Sequence, residues 1–289
     1  MERARVNGVE LEYEVRGSGE PVVLLHGGLL ADENTPLAKE PALTDRYQVI
    51  NYHRRGFAGS TRVPDSKASI DDQVADCKAL LDHLGVEKAH VCGHSLGGVI
   101  GIQLALSHPD TVQDLALMEP AIMGAVAKAE AAGRPDAAEN QRRFMEGMAR
   151  VEEVYKTGDR RAALETFLET RAGDAFRGVL DWLLQSGEFD QAVKDADTFL
   201  MVEMPAAYRW NFTRADAARL EQPVVSILGA HSPVRAQKVH QVMQEWVPQT
   251  ETITLPKADH ALPLMDPPGI AQAVAEWFDK HPIGAAARR

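Results

Sequence analysis

Ser95 stands in the run Val91-Cys92-Gly93-His94-Ser95-Leu96-Gly97-Gly98, where an apolar, strand-like approach meets a serine flanked by glycines. A helix-compatible stretch follows at once. A corner that sharp holds a hydroxyl out into a cavity, and only small neighbours let the chain bend so tightly. The chemistry open to such a serine is nucleophilic attack. That requires a base within hydrogen-bond reach, a third group to orient the base, and donors for the developing oxyanion. The plainer alternative is a Gly-rich strand-to-helix turn with an idle serine, because G-x-S-x-G is a short pattern.

Of the ten histidines, His260 is placed to serve as the base. It lies in Leu255-Pro256-Lys257-Ala258-Asp259-His260-Ala261-Leu262-Pro263, past the last strand pattern and before the last helical one. His90, His94 and His108 read as structural or surface residues, with His94 filling space beside the serine. For the oxyanion, Leu96 offers a backbone N–H at the start of a helix whose dipole also favours negative charge. The turn His26-Gly27-Gly28-Leu29 follows a different strand and can supply a second donor from Gly28, where a Cβ would hold a substrate off the amide.

Positioning these groups requires strands alternating with helices. Strand patterns occupy Val9–Val15, Pro21–Leu25, Tyr47–Tyr52, Ala89–Cys92 and Val112–Met118. Helical patterns occupy Ile70–Leu84, with apolar residues at Ile70, Val74, Cys77, Leu80, Leu81 and Leu84, and Gly97–His108, ended by Pro109. From Ala121 to about Leu220 the patterns are helical, with anchors that include Phe144, Met145, Met148, Phe167, Trp182 and Phe199. Strand rhythm resumes at Val224–Leu228 and Thr252–Leu255, interleaved with helices at Ala236–Trp246 and Gly269 to about Lys280. The alternation predicts a doubly wound, mostly parallel α/β sheet, with residues 1–120 and 219–289 as one core domain and 121–218 as an inserted helical unit. Such an insertion would sit over the carboxyl ends of the strands, where open α/β sheets bind ligands. The final Ala-Ala-Ala-Arg-Arg reads as a frayed tail.

Composition narrows the function classes. At 289 residues, 45% hydrophobic and 25% charged, the chain can bury a large core in an ordinary globular fold. A net charge of −11 argues against a nucleic-acid partner and against adhesion to anionic membranes. The first residues lack the apolar core of a signal peptide, and no apolar run nears the ~20 residues that span a bilayer. Cys77 and Cys92 fit no zinc spacing and no disulfide framework. They read as reduced core thiols of a cytoplasmic protein.

Taken with His26-Gly27-Gly28, the loop Arg55-Gly56-Phe57-Ala58-Gly59-Ser60, the corner at Ser95 and the late His260, the chain resembles the α/β-hydrolase superfamily, in a form with a helical cap. The resemblance covers nearly the whole length. The loop matches R-G-x-G-x-S, with Ala58 where glycine is usual and His53 where an acid usually precedes it. The departure of most consequence concerns the triad acid, which the family usually carries in a G-x-x-D turn just after the cap. That turn reads Gly229-Ala230-His231-Ser232, and no Asp or Glu lies between Glu221 and Glu245. A minority of the superfamily, including some lactonases and dehalogenases, places the acid after the preceding strand. Here Glu119 ends the apolar run Leu115-Ala116-Leu117-Met118, where an unpaired carboxylate would be costly to bury. Pro120 biases Glu119 towards an extended conformation that ends the strand. Salt bridging at the strand end or capping the insertion are its plainer roles.

A serine at the corner excludes the aspartyl-ester route and leaves acyl chemistry, with no metal or organic cofactor implied. The resemblance implies Ser95, His260 and Glu119 as a triad, with Gly28 and Leu96 forming the oxyanion hole. Five of nine methionines fall between Met123 and Met204, among aromatic residues, which suits an adaptable apolar pocket as well as it suits a cap core. Leu29, Met123, Phe144, Met148 and Trp210 are the expected pocket residues. A small-molecule carboxylic ester is the leading substrate class, with a lactone next. A non-catalytic small-molecule receptor on the same fold is the reading from another class. The oligomeric state is not fixed by the sequence.

Overall fold

A computed structural model describes residues 1–62, 68–122, 124, 127, 135–172, 181, 183–185 and 187–284. Eight strands form one sheet in the order β1-β2-β4-β3-β5-β6-β7-β8. They are β1 Glu2–Val6, β2 Val9–Arg16, β3 Glu20–Leu25, β4 Tyr47–Tyr52, β5 Ala89–His94, β6 Val112–Met118, β7 Val224–Gly229 and β8 Thr250–Leu255. From β4 onward along that order every pairing is parallel, while β2 pairs antiparallel with both β1 and β4. The central strands β3, β5 and β6 are buried on both faces, which is why they read as continuous apolar runs without alternation. The edge strand β1 is absent from the sequence patterns above. It is folded back by Asn7-Gly8, whose φ values of 45° and 77° are those of a tight hairpin turn.

Helices cover both faces. On one side lie α1 (Ile70–His83) and α2 (Leu96–Ser107). Ser69 caps α1, accepting from Asp72 N–H at 3.1 Å while Asp72 accepts from Ser69 N–H at 3.0 Å. Such a reciprocal cap is worth about 1 kcal/mol. Cys77 and Cys92 are buried and unpaired, and desolvation pushes both thiols up to about 12. Among the described residues between β6 and β7 there is no strand, and the helices are α3 (Pro135–Lys156), α4 (Arg160–Ala172), α5 (Glu188–Ala196), a π-helical stretch Asp197–Glu203 and the short helices Met204–Arg209 and Arg214–Ala217. Their own core, built on Val151, Leu164, Phe167, Phe189 and Phe199, takes in Leu30 and Phe57 from the loops that follow β3 and β4. That packing seats the insertion at the carboxyl ends of the strands. Met145 is exposed and contributes no anchor. Trp182 and the Ala-Arg tail lie outside the described residues.

After β7 come α6 (Val234–Trp246) and, after β8, α7 (Pro267–Asp279), which packs Ile270, Val274, Trp277 and Phe278 on the opposite face. Among the described residues no helix is long and apolar enough to cross a membrane.

Candidate active site

Ser95 occupies the corner between β5 and α2 with φ 50° and ψ −112°, a conformation costing a non-glycine residue on the order of 1–3 kcal/mol. The surroundings hold it there. Its N–H donates to Met118 O at 2.9 Å, and its carbonyl accepts from Ala121 N–H at 2.8 Å. A side chain on Gly97 would run into the carbonyl of Leu25, so the glycine two residues on is required by the close approach of β3.

Glu119 ends β6 beside that corner. Its φ is 46°, not the extended value that Pro120 favours. Three partners override the local bias. Glu119 Oε2 accepts from His260 Nδ1–H at 2.7 Å, and Oε1 accepts from Gly229 N–H at 3.0 Å and from the Ser232 hydroxyl. A carboxylate this buried is expensive unless satisfied, and here both oxygens are. Burial alone would push its pKa up, but the bonds from His260, Ser232 and Gly229 win and hold it below the usual carboxylate range. Ser232, at the place of the family's usual acid, therefore braces Glu119.

His260 lies on the loop between β8 and α7. Its side chain keeps 39% of its surface open. With Nδ1 given to Glu119, Nε2 is the ring atom left for the cavity. Desolvation lowers its pKa, Glu119 opposes, and the neighbouring charges of His94 and Arg235 add to the lowering. The net direction is downward, so the ring is neutral and basic around pH 7, tempered by water in the open cavity.

His94 is more than a space-filler. Its Nδ1–H donates to Glu33 Oε1 at 2.7 Å and its Nε2 meets His260 O at 2.8 Å. Both contacts are acceptors, so the ring satisfies them together only as imidazolium. Burial pulls its pKa down, but the charge and bond of Glu33, then Glu119 and the His260 carbonyl, raise it above the usual histidine value. Glu33 Oε1 also takes the Gly27 N–H.

A second buried network fixes the glycine turn. Arg54 donates from Nη2 to Gly27 O at 2.7 Å and from Nε to His26 O at 3.2 Å. Its Nη1 bonds Gln73 and the fully buried Glu203 of the π-helical stretch. His26 donates from Nδ1 to Gly27 O at 2.7 Å and accepts Arg54 N–H at 3.0 Å. What a Cβ on Gly28 would meet first is the Phe199 ring at 2.6 Å, so that glycine makes room for the π-helical stretch that carries Phe199.

Ser95, His260, Gly28 and Leu96 all line one cavity of about 450 Å³. Leu29 and Phe144 line it too, Phe144 stacked on Tyr208 at 5.4 Å between centroids. Met148 and Trp210 do not. Met148 packs into the cap's own core, and Trp210 stacks on Phe212 at 5.5 Å while its Nε1–H donates to Gln103 at 2.8 Å, facing α2. Met123 lies outside the described residues. Glu33, Arg54 and Ser232 escaped the sequence argument because each acts through a partner distant in the chain. A buried acid six residues past a glycine turn was the one available sign of Glu33. At Ala58, where glycine is usual, φ is 43°, which gives the usual glycine its reason.

The profile of the family described as the alpha/beta hydrolase fold matches residues 20–267. The chain belongs to the α/β-hydrolase fold family. Among curated members, a protein named as a carbamate hydrolase, RutD, of Caulobacter segnis is 41% identical over 110 residues, 37% of this chain and 41% of that one. A fluoroacetate dehalogenase of a Burkholderia species is 34% identical over 120 residues, 39% and 38% of the two chains. The chain thus spans less than half the length of the curated relatives it matches. A thermophilic esterase from Thermogutta terrifontis superposes with a TM-score of 0.75 at 23% identity, over 98% of this chain and all of that one. The enol-lactonase of Burkholderia xenovorans gives 0.63 at 20%, over 96% of this chain and 100% of its own. At these identities the likeness is one of fold.

Proposed function

We propose that this α/β hydrolase cleaves carboxylic esters through a Ser95-His260-Glu119 triad and an acyl-enzyme. One observation carries the reading: the 2.7 Å bond from His260 Nδ1 to the buried carboxylate of Glu119, in a cavity that Ser95 also lines. His260 Nε2 takes the hydroxyl proton as Ser95 Oγ attacks the ester carbonyl. The negative charge that develops on the carbonyl oxygen is met by the N–H groups of Gly28 and Leu96. Collapse breaks the bond to the alcohol, which leaves with the proton now on His260. Water, deprotonated by the same nitrogen, then releases the acid and restores Ser95. Glu119 keeps the ring in the tautomer with its proton on Nδ1 and stabilises the imidazolium as it forms.

A lactone would follow the same steps with acid and alcohol leaving as one molecule, a reading favoured by the acid's position after β6 and by the enol-lactonase fold neighbour. The carbamate-hydrolase relative makes carbamates a third arm of the same test. A fluorophosphonate probe is expected to label the wild type and not Ser95→Ala. A panel of p-nitrophenyl esters, lactones and carbamates then ranks the substrates. Absence of labelling and of turnover would leave the receptor reading standing instead.

A further inference from the structure

We propose that the cavity holds a subsite for a carboxylate on the substrate, built on Arg235. Resting on the hydrolase reading, this narrows the substrate class to esters or lactones that carry an acidic group. Arg235 begins α6 two residues after Pro233 and lines the cavity together with His260 and Phe144. Among the described residues it makes no ion pair and no hydrogen bond, whereas the other charged side chains lining the cavity are occupied. Glu33 is held by His94 and the Gly27 amide, and Asp259 Oδ1 accepts Ala261 N–H at 2.8 Å.

Arg235 is half-buried, and a guanidinium partly withdrawn from water without a partner is costly and cannot escape by losing its proton. Desolvation pushes Arg235 down to about 10, with only the charge of Glu119 in opposition. The bonds of that carboxylate run to His260, Ser232 and Gly229, and none runs to Arg235. The planar fork of the guanidinium suits a carboxylate, which it can bind through two parallel bonds. The wider molecule makes the local cation necessary. At −11 the chain repels an anion at long range, and among the described residues lining the largely apolar cavity Arg235 is the one arginine or lysine. Arg235 is also near enough to His260 for its charge to act on that ring.

Two ester pairs test the subsite. Monoaryl glutarate against aryl pentanoate places the charge on the acyl side. An O-acetylated short hydroxy acid against the acetate of the matching simple alcohol places it on the alcohol side. The wild type is expected to prefer the charged member of at least one pair in kcat/KM. Arg235→Met should lower that charged-to-neutral ratio about tenfold to a hundredfold, and Arg235→Lys by less. Binding of glutarate to Ser95→Ala, measured by calorimetry against glutaramide, should weaken at least tenfold when Arg235→Met is added. Thermal melts check that the variants fold. Ester turnover with no charge preference, unmoved by Arg235→Met, overturns the subsite and leaves the hydrolase. Arg235-dependent glutarate binding without any ester turnover does the reverse.

Discussion

Two histidine–carboxylate pairs lie side by side in this molecule, with ring centroids 5.1 Å apart and planes at 48°. In each, Nδ1 meets a glutamate oxygen at 2.7 Å. Their protonation nevertheless moves in opposite directions, His260 down and His94 up. The difference lies in the surroundings: His94 has the charges of Glu33 and Glu119 beside it, whereas burial and the charges of His94 and Arg235 outweigh Glu119 at His260. His260 Nε2 is left to the cavity, while His94 Nε2 faces the backbone carbonyl of His260 at 2.8 Å, an acceptor that rewards a proton. In the mechanism we propose, one pair takes a proton and passes it on, and the other keeps one. A carboxylate beside an imidazole does not by itself make a catalytic dyad. In that mechanism the kept proton also has a use, since a cation beside His260 makes its imidazolium readier to give a proton to the leaving group.

The largest expected effect separates the pairs by activity. Glu119→Gln keeps the volume but removes the charge, and kcat with the best ester should fall roughly 10³–10⁴-fold. Glu33→Gln, which strips the neighbouring pair in the same way, should cost only about tenfold, through looser placement of Gly27 and of the His260 backbone. Equal losses in the two variants would erase the distinction. Because Ser232 touches Glu119 Oε1, the acid can also be moved. Adding Ser232→Asp to Glu119→Ala should recover about tenfold or more over Glu119→Ala alone. No recovery would show that only the β6 position can orient the ring.

Much of this arrangement was legible in the sequence. Ser95, His260 and the glycine turn announce themselves through short-range constraints, since a tight corner needs glycines and a catalytic loop follows a strand. A partner for Glu119 was legible from its apolar neighbours and from the resemblance, in which some members carry an acid after this strand, though not its φ of 46°, because tertiary bonds to Gly229, Ser232 and His260 overrode the proline's local bias. His94 is a buried structural residue beside the serine, as expected, but its two bonds were not legible, for a related reason. Nothing local reveals that Glu33 lies 2.7 Å away or that a loop more than 160 residues later presents a carbonyl. Met148 and Trp210 show the limit of composition, which names apolar residues but cannot say whether they face a cavity or another helix. The pattern at Val9–Val15, which reads as an edge strand or hairpin arm, is the second arm of the hairpin turned by Asn7-Gly8, while the short exposed β1 carries no apolar alternation to announce it.

Titrating the reaction should set the pairs against each other more finely. The ester reaction needs neutral His260, so kcat/KM should rise with pH through a midpoint below the ordinary histidine value of 6.5. Glu119 raises that pKa and His94 lowers it, giving opposite signs for their removal. Glu119→Gln should move the residual activity's acid limb to lower pH, and His94→Gln should move it to higher pH. Shifts of one sign in both variants would mean that His94 carries no charge beside the triad.

The smallest effect is on stability, and its sign also divides the pairs. His94 is raised on folding, so its contribution is fully present below about pH 6.5 and is lost as pH rises through the folded value. Glu119 is lowered, so its contribution is present above about pH 4.5 and is lost as pH falls through the folded value. Melting temperatures should accordingly show Glu33→Gln most destabilised relative to wild type at mildly acidic pH, the gap closing towards pH 9. Glu119→Gln should show its gap at neutral pH and lose it towards pH 3. Each gap is expected to be a few degrees, at about 2–4 °C per kcal/mol for a large domain. A gap for Glu33→Gln that widens with rising pH would mean that His94 is neutral in the folded state. Its contact with the His260 carbonyl would then join two acceptors, and the second pair would have no reason to be built as it is.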